Sequence, residues 1–146
     1  MKKLTVAFSA LSLILSSGVA FAEIVVPIQP NCALYAGPKG KLFHDRSEVG
    51  KLVSEGRTTD PVTGTVKEKV SYSSPTQEAS VEFIQFSDQM EIWYVIKADT
   101  NGDGLISDQD ISIKGTSLLP SSYALYLSGG LVFDGEENII SCAMIK

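Results

Sequence analysis

Asp99, Asn101, Asp103, Ser107 and Asp110 place oxygen-bearing side chains at positions 1, 3, 5, 9 and 12 of one twelve-residue stretch, Asp99-Thr100-Asn101-Gly102-Asp103-Gly104-Leu105-Ile106-Ser107-Asp108-Gln109-Asp110. A hard divalent cation collects six to eight such oxygens, and calcium accepts them from carboxylates, amides, backbone carbonyls and water alike. The seventh position, Leu105, would contribute its backbone carbonyl. Ser107 would act directly or through a water, and Asp110 would close the sphere. Gly104 at position 6 permits the sharp turn such a loop needs, and Ile106 at position 8 can pin the loop to a core. The competing reading is a metal-free turn, because Asp, Asn and Gly also dominate turns between strands. A turn, however, needs only one or two of them and not an oxygen at every ligand position.

The loop resembles a single EF-hand calcium loop, with one departure. Position 12 is Asp110, where that pattern places a Glu whose longer arm coordinates through both oxygens. Asp at this position, followed by Ile111-Ser112-Ile113-Lys114, is similar to the loop of dockerin modules, which continue into a short helix. Dockerins carry two such loops and this chain carries one, so the resemblance implies the calcium loop and not a dockerin fold.

The elements that must hold the loop differ on its two sides. Upstream, Glu91-Ile92-Trp93-Tyr94-Val95-Ile96-Lys97-Ala98 is aromatic and β-branched, which predicts a strand and not an entering helix. Downstream, Ser107 with Asp110 three residues on resembles a capping box, and Gly115 would end a helix of barely two turns. The alternation of Ile111 and Ile113 with polar residues suits a short strand equally well.

The chain has 146 residues and opens Met-Lys-Lys before an apolar run from Leu4 to Leu15, then Ala20-Phe21-Ala22. That is the layout of a secretory signal peptide cleaved before Glu23, and its brevity and paired Lys look bacterial. The apolar run is too short for a membrane span, which needs about 20 residues. Neither a lipidated Cys after the cleavage site nor a twin-Arg pair is present. Residues 1–22 are therefore read as the signal and residues 23–146 as one domain of an exported protein, periplasmic or secreted. Seventeen acidic residues against twelve Lys and Arg give a net charge of −5, with no basic cluster, which argues against nucleic acid as a partner.

Cys32 and Cys142 are the two cysteines, near the ends of the mature chain. In an exporting compartment they are expected to pair. A redox or nucleophilic thiol is the alternative, but no second Cys stands within CxxC reach of either and one His is available.

The rest of the chain reads as many short strands punctuated by turns, hence a mainly β domain: an antiparallel sandwich or barrel, or a sheet-rich α+β fold. Strands are expected at Cys32 to Ala36, Lys41 to His44, Thr65 to Tyr72, Ser80 to Phe86, Glu91 to Ala98 and Ile139 to Ile145. Ser122 to Leu127 and Leu131 to Phe133 are expected to form a hairpin about Ser128-Gly129-Gly130. Glu23 to Gln29 reads as an edge lead-in, and residues 54–80 as the loosest region.

No catalytic constellation stands out. His44-Asp45-Arg46-Ser47 holds the residue types of a triad, but four consecutive residues cannot converge on one point. Glu55, Glu68, Glu78 and Glu82 include no pair that the sequence singles out for glycoside hydrolysis. Trp93, Tyr94, Tyr123 and Tyr126 could stack on sugars, yet both faces of the Trp93 strand look apolar, which favours core packing. The leading expectation is an exported calcium-binding β domain in which the ion organises a loop. A recognition module for an extracellular protein or glycan, with calcium incidental, and an unrecognised hydrolase are the alternatives.

Overall fold

The computed structural model describes residues 27–145. The expected signal peptide over residues 1–22, the expected start at Glu23 and most of the lead-in lie outside the described residues. The described chain folds as a sandwich of two antiparallel sheets, with no closed barrel.

The first sheet contains β1 (Gln29–Pro38), β2 (Ser47–Lys51), β8 (Leu125–Leu127), β9 (Leu131–Phe133) and β10 (Glu136–Ile145). Its order is β2-β1-β10-β8, with β9 also on β10. The second sheet contains β3 (Val53–Thr59), β4 (Val66–Ser73), β5 (Gln77–Gln85), β6 (Gln89–Ala98) and β7 (Ser112–Pro120), paired in chain order. The chain passes from one sheet to the other at Leu52, between β2 and β3, where the Leu52 amide donates to the Cys32 carbonyl at 2.9 Å.

Period-two alternation decides which side chains meet between the sheets. Cys32 and Leu34 of β1 and Ile140, Cys142 and Met144 of β10 face Val81 and Phe83 of β5 and Met90, Ile92 and Ile96 of β6 in one cluster. Burying each such aliphatic or aromatic side chain contributes roughly 1.5–3 kcal/mol. Three polar side chains enter the layer with partners: Gln77 Nε2 of β5 donates to Asn138 Oδ1 of β10 at 2.8 Å, joining the sheets. Gln85 accepts from the Ile28 amide at 3.0 Å.

Cys32 and Cys142 stand directly opposite in the β1–β10 register and form a disulfide across it. The bridge ties the two outermost described strands in chain order into one pair.

Three local expectations need correction. Lys41 to His44 is not a strand; Phe43–Asp45 makes a 3-10 turn, consistent with the Gly-Pro-Lys-Gly punctuation leaving no alternating face to bury. Residues 54–80 are not loose but supply β3, β4 and the start of β5. β8 and β9 do not pair with each other; they lie end to end on the same edge of β10. The hairpin is instead β9–β10, closed by Asp134 (φ 53°) and Gly135 (φ 78°), the two left-handed residues that a tight two-residue turn requires. Of the two continuations left open after the candidate loop, helix or strand, the structure takes the strand: Ile111 leads straight into β7. No described helix is long and apolar enough to cross a membrane.

The turn from β3 to β4 is built on Asp60, whose Oδ1 accepts the Val62 and Thr63 amides at 2.8 and 3.1 Å. Those two donors stabilise the ionised carboxylate and hold its pKa below the ordinary value. A depressed carboxylate stabilises the fold above its unfolded pKa, and that contribution is lost as pH falls through the folded value. The Val62 and Thr63 amide resonances are therefore expected to move together on acidification, with a midpoint below the aspartate reference of about 3.9. A midpoint at or above that reference, or no change in either amide, would show that the carboxylate does not hold the turn.

Candidate metal centre

The candidate loop is the connection between β6 and β7, so the structure mounts it on one end of a two-stranded segment with continuous register from Gln89↔Pro120 to Lys97↔Ser112. Asp99 takes over where β6 ends, and its amide donates to the Thr76 carbonyl at 2.9 Å in the neighbouring turn between β4 and β5. Position 1 is thus anchored to the sheet by backbone, leaving its side chain for the loop.

Asp99 accepts from two glycine amides, Gly102 at 2.9 Å on Oδ1 and Gly104 at 2.7 Å on Oδ2. Asn101 Oδ1 accepts the Asp103 amide at 3.0 Å, and Asp103 Oδ1 accepts the Leu105 amide at 2.9 Å. Successive short-range bonds of this kind curl the chain around its own side-chain oxygens. The curl needs left-handed backbone at Gly102 (φ 77°) and Gly104 (φ 85°), which glycine adopts without steric cost.

Asp110 closes the loop from the other end and is its one buried carboxylate, 8% exposed. Its Oδ1 accepts the Thr100 and Asn101 amides at 2.9 and 3.4 Å, and its Oδ2 accepts the Ser107 amide at 2.7 Å. Burial alone would raise its pKa, but these backbone donors outweigh it and hold the carboxyl below the ordinary range. The Ile111 amide donates to Thr100 Oγ1 at 3.0 Å, so the loop's ends are also joined beside Asp110. The Ser107–Asp110 contact is one half of a capping box, yet it caps a single turn and not a helix, because pairing with β6 takes over at Ser112.

All six sequence-selected positions, Asp99, Asn101, Asp103, Leu105, Ser107 and Asp110, lie on this one loop. Among the described residues no three Asp, Glu, His or Cys side chains form a group that could hold a metal ion. Asp99, Asp103 and Asp110 are instead each engaged by loop amides. Those bonds do not exhaust the donors. A carboxylate offers about four lone-pair sites, and a calcium sphere of this spacing would also draw on Asn101, the Leu105 carbonyl, Ser107 and water. The donor set fits calcium in being all oxygen, with no soft thiolate or imidazole. Ile106 is half-buried, in keeping with an anchoring role, whereas Leu105 beside it is exposed.

Two features depart from the sequence expectation. Thr100 bonds both Asp110 and the Ile111 amide and so joins the loop's ends, although its position is not a ligand position. Trp93 is not in the core: it is 50% exposed on the outer face of the second sheet. Tyr123 is exposed as well, whereas Tyr126 is buried and Tyr94 packs against the core as expected. Comparison with protein-family profiles, curated proteins and solved structures finds no match to this chain.

Proposed function

We propose that this is an exported calcium-binding protein in which one ion, held by Asp99, Asn101, Asp103, Leu105, Ser107 and Asp110, stiffens the β6–β7 end of a β sandwich. The observation that carries this reading is the coincidence of ligand spacing with loop shape. Oxygens fall at every position that the cation needs, and left-handed glycines and nested amide bonds curl the loop around them. The Cys32–Cys142 disulfide supports export, since such bonds persist in oxidising compartments. The ion's role would be structural, because a sensor needs a pair of helices that open on binding. An extracellular protein or glycan is the class of partner that such an exported domain would meet.

Extracellular calcium modules bind at about 10⁻⁴–10⁻³ M, and the short arm of Asp110 points to that range. With a dissociation constant of ~0.1 mM, calcium at ~1 mM adds about 1.4 kcal/mol of stability. Titration calorimetry and thermal melting of the chelator-stripped protein test this directly. Asp99→Ala is expected to abolish both the heat and the melting shift while leaving the metal-free sandwich folded. Absence of any response at several millimolar calcium would reject the site.

A further inference from the structure

We infer that the outer face of the second sheet binds an uncharged polysaccharide chain, with one sugar ring stacked on Trp93. The register puts Glu82, Trp93 and Thr116 in one row across β5, β6 and β7, and Ser80, Val95 and Lys114 in the next. These outward side chains line a depression of about 520 Å³. A second hollow continues from it across β4 and shares Lys69, Ser80 and Val95 with the first. The indole is held in place by its own N–H, which donates to the Glu91 carboxylate. Its ring, half exposed, is the aromatic surface at the centre of the face.

The composition of this face selects the ligand class. Across the strands apolar and polar groups interleave: Ile84 and Leu118 stand on either side of Glu91, Trp93 stands between Glu82 and Thr116, and Val95 stands between Ser80 and Lys114. A protein-docking patch concentrates apolar groups at its centre and depletes charge there, which this face does not. Lys67, Lys69, Lys97 and Lys114 of this face are matched by Glu55, Glu78, Glu82 and Glu91, so no net field draws a polyanion, and Lys69 is already paired with Glu55 at 3.4 Å. A saccharide chain has the matching alternation: each ring offers a C–H face for an indole and a girdle of hydroxyls for carboxylates, ammonium groups, Ser80 and Thr116. The hollow lies within the roughly 300–1,000 Å³ of small-ligand sites, and its continuation across strands suits a chain over a single sugar. The site is separate from the calcium loop and does not depend on that reading.

The test is native electrophoresis of the mature protein through gels containing xylan, galactomannan, hydroxyethyl cellulose or soluble starch, with alginate as the acidic comparison. At least one neutral polymer is expected to retard the protein equally in calcium and in chelator, and to shift the emission of the single tryptophan. Trp93→Ala is expected to weaken retardation about tenfold or more, as for loss of one central aromatic anchor, with the melting temperature unchanged. Trp93→Phe should keep part of the binding, since a ring remains. Passage through every neutral gel without retardation would overturn the proposal. So would undiminished binding by Trp93→Ala, retardation by alginate alone that salt removes, or retardation that disappears in chelator.

Discussion

Removal of the Cys32–Cys142 bridge is expected to lower the stability of this protein by between about 2 and 5 kcal/mol. The two cysteines are 110 residues apart, so the bond closes a loop containing nearly all of both sheets. In the chain-entropy treatment a loop of about 100 residues is credited with ~4.7 kcal/mol, an upper figure because a reduced unfolded chain keeps some compactness. Set against a typical domain stability of about 5–15 kcal/mol, that loss leaves a marginal fold. Both sulfurs are buried between the sheets, so a reductant reaches them only when the chain opens. The clean measurement is denaturant unfolding of the Cys32→Ala/Cys142→Ala variant beside the oxidised protein, whose mass should lie two hydrogens below that of the dithiol. A lower midpoint is expected, together with an intact calcium response, since neither cysteine is among the proposed ligands. Equal midpoints would mean that pairing of β1 with β10 alone holds the two strands and that the covalent bond adds nothing.

The same two strands show why much of this fold is legible in the sequence. Ile140, Cys142 and Met144 alternate with less buried residues, and the alternation alone places the second cysteine on an inner face where a partner could meet it. The candidate calcium loop is legible for a different reason: its chemistry is local, and every proposed ligand lies within twelve residues, so no tertiary fact is needed to assemble them. Trp93 is harder to place, because its strand looks apolar on both faces. Met90, Ile92, Tyr94, Ile96 and Ala98 make one continuous apolar side, whereas on the other Glu91 and Lys97 flank Trp93 and Val95. Those two charges are the available signal for an outer face. The expected Ser128-Gly129-Gly130 hairpin is absent for a reason that the sequence does not carry. Glycines mark a turn and a close approach equally well, and only the packing of another strand's side chain distinguishes them.

That packing leads to the second large effect, at Gly115 and Gly129. A Cβ built on Gly115 of β7 would lie under 3.0 Å from the ring carbons and hydroxyl of Tyr94, and one on Gly129 would lie under 3.0 Å from the same hydroxyl. Tyr94 thus reaches from the second sheet between two bare backbones, one in its own sheet and one at the break between β8 and β9, with its ring 6.5 Å from that of Tyr126. Neither glycine has left-handed backbone, so conformation does not demand glycine there; space does. The sign of a Gly→Ala change is therefore diagnostic. Where space allows, alanine stabilises by about 0.4–1 kcal/mol through the unfolded chain. Where it overpacks, the cost is about 1–3 kcal/mol. Gly115→Ala and Gly129→Ala are each expected to destabilise by that latter amount in denaturant unfolding. Because both press on one ring, the double variant should cost less than the two added together, as neighbours sharing a partner do. Tyr94→Leu, which removes the ring and hydroxyl, should make either alanine substitution close to neutral. Stabilisation by either single change, or full additivity unrelieved by Tyr94→Leu, would show that Tyr94 does not fill these two gaps.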